Sequence, residues 1–295
     1  MNDTEYHAHP AMGSTTLKAA RTKTGRGFWA KCVDPSRKPF LPTDPMRQGS
    51  LVDCLETCPD EFDDKYIILP SNAPTKPTKA QLKAEKKSPA AEKSISFWNE
   101  FEEKAGDRDI ITKDWKDTAL AIIDVLHADR DVGPILKMPR QSQVPFFWFD
   151  QELFGECKYK PDLEPDDLSL WDLKKGASAN PRDFERQSYS LGYDIQLDHY
   201  GIGFAKQHGI EPTRRGFIVY EWAWPHDCAL IVADEDFIAM GAKRRAEAIA
   251  LILQYRADGY YPSYGSAIIS PPKYAGIISP GNDSDVSDLE LEGLE

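Results

Sequence analysis

The sequence predicts an α/β, or α+β layered, domain in which helices flank a mixed central sheet. Three observations carry this. Apolar residues recur at helical spacing in long segments, above all 113–127 and 234–255. Shorter alternating or aromatic runs, at 144–149, 154–174, 217–220 and 229–232, read as strands. Their order is helices, three strands, helix, two strands, helix, which interleaves the two periodicities as a layered sheet does. A composition of 41% apolar and 28% charged residues suits a globular core. No apolar run approaches the ~20 residues of a membrane-spanning helix.

Taken in order, residues 1–13 are polar, lack an apolar signal-peptide region and read as a flexible N-terminus with solvated His7 and His9. One domain is expected over 14–277. Ser14 is placed to cap a helix through Leu17, Ala19 and Ala20. Residues 28–30 form an aromatic anchor, and the four prolines between 35 and 45 mark a loop. A helix over 46–57 stops at Pro59, and 62–69 reads as a short strand. Residues 74–96, rich in lysine and proline, read as an insertion or linker with little to bury. Helices resume at 97–103 and 113–127. The second carries Trp115, Ala119, Ile122, Ile123 and Leu126 on its core face and His127 at its end, where an imidazolium suits the helix dipole.

Residues 183–203 read as one helix with Tyr189, Tyr193, Gln196 and Tyr200 on a single face. The amphipathic helix over 234–255 is expected to expose Lys243, Arg244 and Arg245. A proline- and tyrosine-rich segment closes the domain, and 278–295 is an acidic tail expected to be disordered.

The net charge of −12 argues against broad nucleic-acid binding, so any such contact needs a local basic groove. The five cysteines form no CxxC and no paired framework, which fits reduced thiols in a cytoplasm. There is no glycine-rich phosphate loop, no GxSxG elbow and no HExxH.

The most informative stretch is 154–174. It reads as a hairpin turning at Pro165-Asp166-Asp167. Strand alternation puts Asp172 and Lys174 on one face, and the hairpin brings Asp162 diagonally across from Asp172. Two carboxylates and a lysine then converge, a set that suits an oxygen-preferring divalent cation beside a cationic group able to steady charge on phosphate. The same spacing also suits a solvated hairpin with scattered surface charges.

Pro161-Asp162 followed by Asp172-Leu173-Lys174 resembles the PD-(D/E)xK nuclease signature, and Gln196-x-x-x-Tyr200 resembles the added motif of its RecB-like branch. Gly49-Ser50-Leu51-Val52-Asp53 with Pro59 and Phe62, Glu221-x-x-x-Pro225 and the closing Pro-Lys-Tyr are similar to the phage exonuclease VIII (RecE-like) group. The resemblance implies a restriction-endonuclease-like αβββαβ core and Mg²⁺-dependent, or Mn²⁺-dependent, exonucleolytic hydrolysis of duplex DNA. Ends would be resected in phage-type recombination in a bacterial cytoplasm. A homo-oligomer and a single-strand annealing partner would follow.

On that resemblance Asp53, Asp162, Asp172 and the Leu173 carbonyl would hold metal, and Lys174 would orient the attacking water. Gln196 and Tyr200 would brace the site, and Lys160, Arg186, Gln196 and Tyr200 would touch DNA. Two positions depart from the group. Asp53 stands where it carries histidine, and Gln143 stands near where it carries an acid. A DNA-binding or scaffold member with weakened catalysis is therefore the alternative.

Overall fold

The computed structural model describes residues 3–38, 40–266 and 269. The chain opens with α1 (Asp3–Ala8), α2 (Ser14–Thr22) and α3 (Gly25–Cys32), the last started by Thr24, whose hydroxyl accepts from the Gly27 amide. Next come α4 (Asp44–Thr57), the short helix α5 (Phe62–Lys65) and β1 (Tyr66–Ile68). Then follow α6 (Lys79–Lys83), α7 (Pro89–Ala105), β2 (Asp109–Ile111), α8 (Lys113–Ala128) and α9 (Gly133–Leu136). Thr78, Ser88 and Thr112 each cap a helix by accepting from a backbone N–H three residues on.

The strands β3 (Arg140–Gln141), β4 (Phe146–Asp150), β5 (Gly155–Tyr159), β6 (Glu164–Pro165) and β7 (Leu170–Gly176) lead into α10 (Pro181–Leu191) and α11 (Tyr193–His208). The chain continues through β8 (Arg215–Glu221), β9 (Cys228–Val232) and α12 (Glu235–Asp258).

The expected mixed sheet is present. β7 runs parallel to β8 with Leu173 opposite Ile218, and β8 runs antiparallel to β9. A parallel pair needs a crossover, which α10 and α11 supply. The alternation along these strands divides two cores. Trp171, Leu173, Ile218 and Tyr220 pack toward α4 and α8, while Phe217 and Val219 pack toward α10 and α11. A third cluster joins α2, α3, β4, β5, α11 and α12 around Leu17, Phe28, Tyr159, Ile195 and Phe204. Asp172, between two residues of the α4 side, therefore points to the α11 side, where Gln196 donates to it.

Several expectations need correction. The segment read as a simple hairpin is divided: β5 pairs with β4, β6 pairs with β3, and only a Leu163–Trp171 bridge joins its two halves. That bridge places Asp162 opposite Asp172 rather than diagonal to it. Residues 62–65, read as strand, form α5, and only Tyr66–Ile68 extends.

Residues 3–8, read as flexible, are helical, with Tyr6 buried and its carbonyl holding the Lys158 ammonium. The insertion read over 74–96 folds back on itself. Ser94 Oγ donates to the Thr75 carbonyl, and Trp98 Nε1 donates to that of Pro74. His127 does not serve as a helix cap, since its Nε2 lies 2.9 Å from Oε2 of buried Glu56. The single helix read over 183–203 breaks at Gly192, whose φ of +70° is a left-handed cap that side chains disfavour. Tyr189 falls on α10 and is exposed, so the four-residue face does not exist as one stripe. The acidic tail and the closing Pro-Lys-Tyr lie outside the described residues.

The largest correction concerns α12. Arg244 and Arg245 are buried, not exposed. Arg244 Nη1 donates to Asp194 Oδ1 at 2.8 Å and to the Tyr189 carbonyl at 3.1 Å. Arg245 pairs with Asp150 and, at 3.3 Å, with Glu152. Gly241 makes the approach possible, because a Cβ there would sit 2.3 Å from the Asp194 carbonyl oxygen. Removing one member of a buried ion pair strands the other charge in a poor solvent. Arg244→Ala is expected to lower unfolding free energy by about 3–5 kcal/mol, whereas Arg244→Met with Asp194→Leu costs far less. Urea unfolding of the three proteins checks this, and equal losses for both variants would remove the explanation.

Candidate active site

Asp162, Asp172 and Lys174 meet in one cleft. It is about 630 Å³ in volume and is also lined by Asp53, Leu173, Gln196 and Tyr200. Four parts of the chain deliver these side chains. Asp53 comes from the last turns of α4, Asp162 from the bridge beside β6, and Asp172, Leu173 and Lys174 from β7. Gln196 and Tyr200, four apart, come from α11.

The hydrogen bonds fix the carboxylates. Asp162 Oδ1 accepts from Gln143 Nε2 at 2.5 Å, and its Oδ2 accepts from the Leu173 amide at 2.7 Å. Asp172 is buried; its Oδ1 accepts from Gln196 Nε2 at 2.8 Å, and Lys174 pairs with its Oδ2. Lys174 also stands 5.1 Å above the Tyr193 ring. Tyr200 is buried, and its hydroxyl reaches toward the Lys160 carbonyl at 3.4 Å.

The electrostatics bring Asp53 into the group. Burial raises its pKa well above the usual carboxylate value, and the neighbouring Asp162 raises it further. Asp162 is raised chiefly by burial, against the pull of Lys174 and its hydrogen bonds. Burial lowers the Lys174 pKa, with Asp162 and Asp53 acting the other way. Two ionised carboxylates at close range with incomplete compensation are what a hard divalent cation relieves. The adjoining carboxylates of Asp53 and Asp162 therefore suit such an ion. Among the described residues no three carboxylate, imidazole or thiol groups are gathered into a ready cage. Asp172 is engaged by Lys174 and Gln196.

A stability test follows from the sign of these shifts. A carboxylate with a raised folded pKa is kept protonated by the fold, so ionising it costs stability as pH climbs above the ordinary carboxylate range. Asp53→Asn is expected to raise the melting temperature of the metal-free protein at pH 8 while weakening Mg²⁺ binding in calorimetry. No change in either would make Asp53 an ordinary helix residue.

The cleft is locally basic in an acidic chain. Lys18, Lys31, Arg37, Lys65, Lys158, Lys160 and Lys174 line it with three aspartates and no glutamate. Such focusing favours a polyanion despite the net charge. Lys160 is on this wall. Arg186 is not: it is exposed on α10 and lines no part of the cleft. Sequence reasoning missed Lys18, whose Nζ donates to Gln196 Oε1 at 2.9 Å and whose pKa burial lowers to about 7. Only its helical phase, one residue from Leu17 and Ala19, was readable in advance.

A family model described as a PDDEXK-like domain of unknown function (DUF3799) matches residues 30–268. The fold is similar to the crystal structure of a candidate exonuclease from Eubacterium rectale. The TM-score is 0.60 at 14% identity, over 93% of this chain and 96% of that one. No curated protein matches the chain. No helix among the described residues is long and apolar enough to cross a membrane.

Proposed function

Because the chain belongs to the PDDEXK-like family DUF3799, we propose that it is a divalent-metal-dependent deoxyribonuclease. The observation that carries this reading is the meeting of Asp53, Asp162, Asp172 and Lys174 in a cleft that also presents Lys18, Lys31, Arg37, Lys65, Lys158 and Lys160. When bound, Mg²⁺ or Mn²⁺ would polarise a phosphoryl oxygen and lower the pKa of a water. Asp53, Asp162 and Asp172 would hold the ion. Lys174, its charge softened by burial, would orient the attacking water and steady charge growing on the phosphate. Gln196 aims Asp172, and the Leu173 amide with Gln143 aims Asp162. Lys160 and its basic neighbours would hold the backbone phosphates.

Gln143 is compatible with this chemistry. It donates a hydrogen bond to Asp162, whereas an acid at that point would add a further like charge. The finer reading is an exonuclease of the RecE-like kind that resects duplex ends in phage-type recombination. It would act in the cytoplasm as a homo-oligomer beside a single-strand annealing protein. The test is digestion of linear and circular duplex DNA, labelled at either end, with Mg²⁺, with Mn²⁺ and with a chelator. Loss of label from linear DNA alone supports the exonuclease. Cutting of circles would make it an endonuclease, and binding without cutting would favour the scaffold reading.

A further inference from the structure

Lys18 and Asp172 are joined through one amide. Lys18, on α2, donates to Gln196 Oε1 at 2.9 Å, and Gln196 Nε2 donates to Asp172 Oδ1 at 2.8 Å. Asp172 in turn pairs with Lys174. The two ends of a glutamine amide are nearly the same size, so only their partners decide which faces where. An ammonium can only donate and an ionised carboxylate can only accept. With Lys18 on one side and Asp172 on the other, a single orientation of Gln196 satisfies both. Without Lys18 the amide could turn its oxygen toward Asp172, placing an acceptor against an acceptor in a buried site.

Other groups around Gln196 bear on this choice less directly. The Tyr200 hydroxyl interacts with Gln196 and Ser14, and with its own proton toward the Lys160 carbonyl over a long 3.4 Å it only weakly favours the same orientation. Tyr193 offers Lys18 and Lys174 a shared ring face, with the ammonium groups 5.5 Å and 5.1 Å from its centroid. The ring seats both lysines without orienting the amide.

We propose that Lys18 is a positioning residue for the nuclease reaction. By fixing the Gln196 amide, it keeps the amide N–H on Asp172 and leaves that carboxylate aimed and accepting. The inference rests on the nuclease reading for its effect on rate, and on the two hydrogen bonds for the positioning itself. Outer-shell partners of this kind contribute about 10–100-fold to metal affinity or activity.

The test is a double-mutant cycle of Lys18→Met and Gln196→Ala under single-turnover conditions at saturating DNA and Mg²⁺, with DNA affinity measured alongside. Each single variant is expected to be about tenfold or more slower. The double variant is expected to be no slower than Gln196→Ala, and DNA affinity to hold within about twofold. Lys18→Arg, which keeps a charged donor, should recover most of the rate and guards against a folding defect in Lys18→Met. Losses that multiply in the double variant would overturn the proposal, because Lys18 would then act independently of Gln196. So would a fall in DNA affinity matching the fall in rate, the mark of a direct phosphate contact.

Should the parent cleave nothing with any divalent cation, the nuclease reading fails alone. Exchange of the Gln196 side-chain amide with solvent, followed by NMR, then decides the positioning role. Slow exchange in the parent and fast exchange in Lys18→Met supports it, and equal exchange in both overturns it.

Discussion

Asp172→Asn is expected to reduce metal-dependent cleavage to about a thousandth of the parent rate or less while leaving the fold intact. Asparagine keeps the size of the side chain and keeps an oxygen for Gln196 Nε2. It removes the negative charge that pairs with Lys174 and would help hold a divalent ion. Losing a preorganised charge contact typically costs ~10²–10³ in rate. Weakening the ion's hold multiplies that loss. DNA affinity should be unchanged or tighter, since a carboxylate is removed from the cleft proposed to receive phosphate. End-labelled duplex digestion and a DNA-binding titration on the same preparation separate the two effects. Cleavage within tenfold of the parent would take Asp172 out of the reaction.

Lys174→Ala is the second large effect, and it should fall on turnover. Lys174 lies two residues from Asp172 on β7, so both point to the α11 side of the sheet. A bystander lysine in a surface ion pair would contribute ~0–1 kcal/mol. A residue that stabilises charge present only in the transition state lowers the rate and leaves ground-state binding alone. Single-turnover cleavage is expected to slow by roughly 10²–10³, with Mg²⁺ and DNA binding close to the parent. Lys175 alternates to the other face and lines no part of the cleft, so Lys175→Ala should keep most activity. Equal rates for both variants and the parent would remove Lys174 from the mechanism.

The core of this site was legible because its spacing is a strand's own period. Asp172 and Lys174 had to share a face, and the turn residues brought Asp162 back toward them. The mixed sheet, β7 against β8 and β8 against β9, was equally readable from short apolar runs around a helical crossover. What escaped depended on partners distant in sequence. Arg244 and Arg245 count as exposed on any periodicity plot until Asp194 and Asp150, 50 and 95 residues away, are placed beside them. Lys18 meets Gln196 across 178 residues. The hairpin was over-read because β4 and β3 compete for the edges that 155–165 offers, and a turn signal says nothing of a third strand. Gly192 was missed because a lone glycine in a helical pattern reads as tolerated until its φ is known.

The close crossing of α11 and α12 at Gly241 makes this part of the scaffold unforgiving. Any side chain at 241 must push α11 away by way of the Asp194 carbonyl, and α11 also carries Gln196 and Tyr200. In a random-mutagenesis screen for lost cleavage, Gly241 should therefore emerge as a hit outside the cleft, in protein that still accumulates in the cell. Second-site suppressors should map to the α11–α12 contact, where trimming bulk lets the helix settle back, rather than to the acidic residues of the cleft.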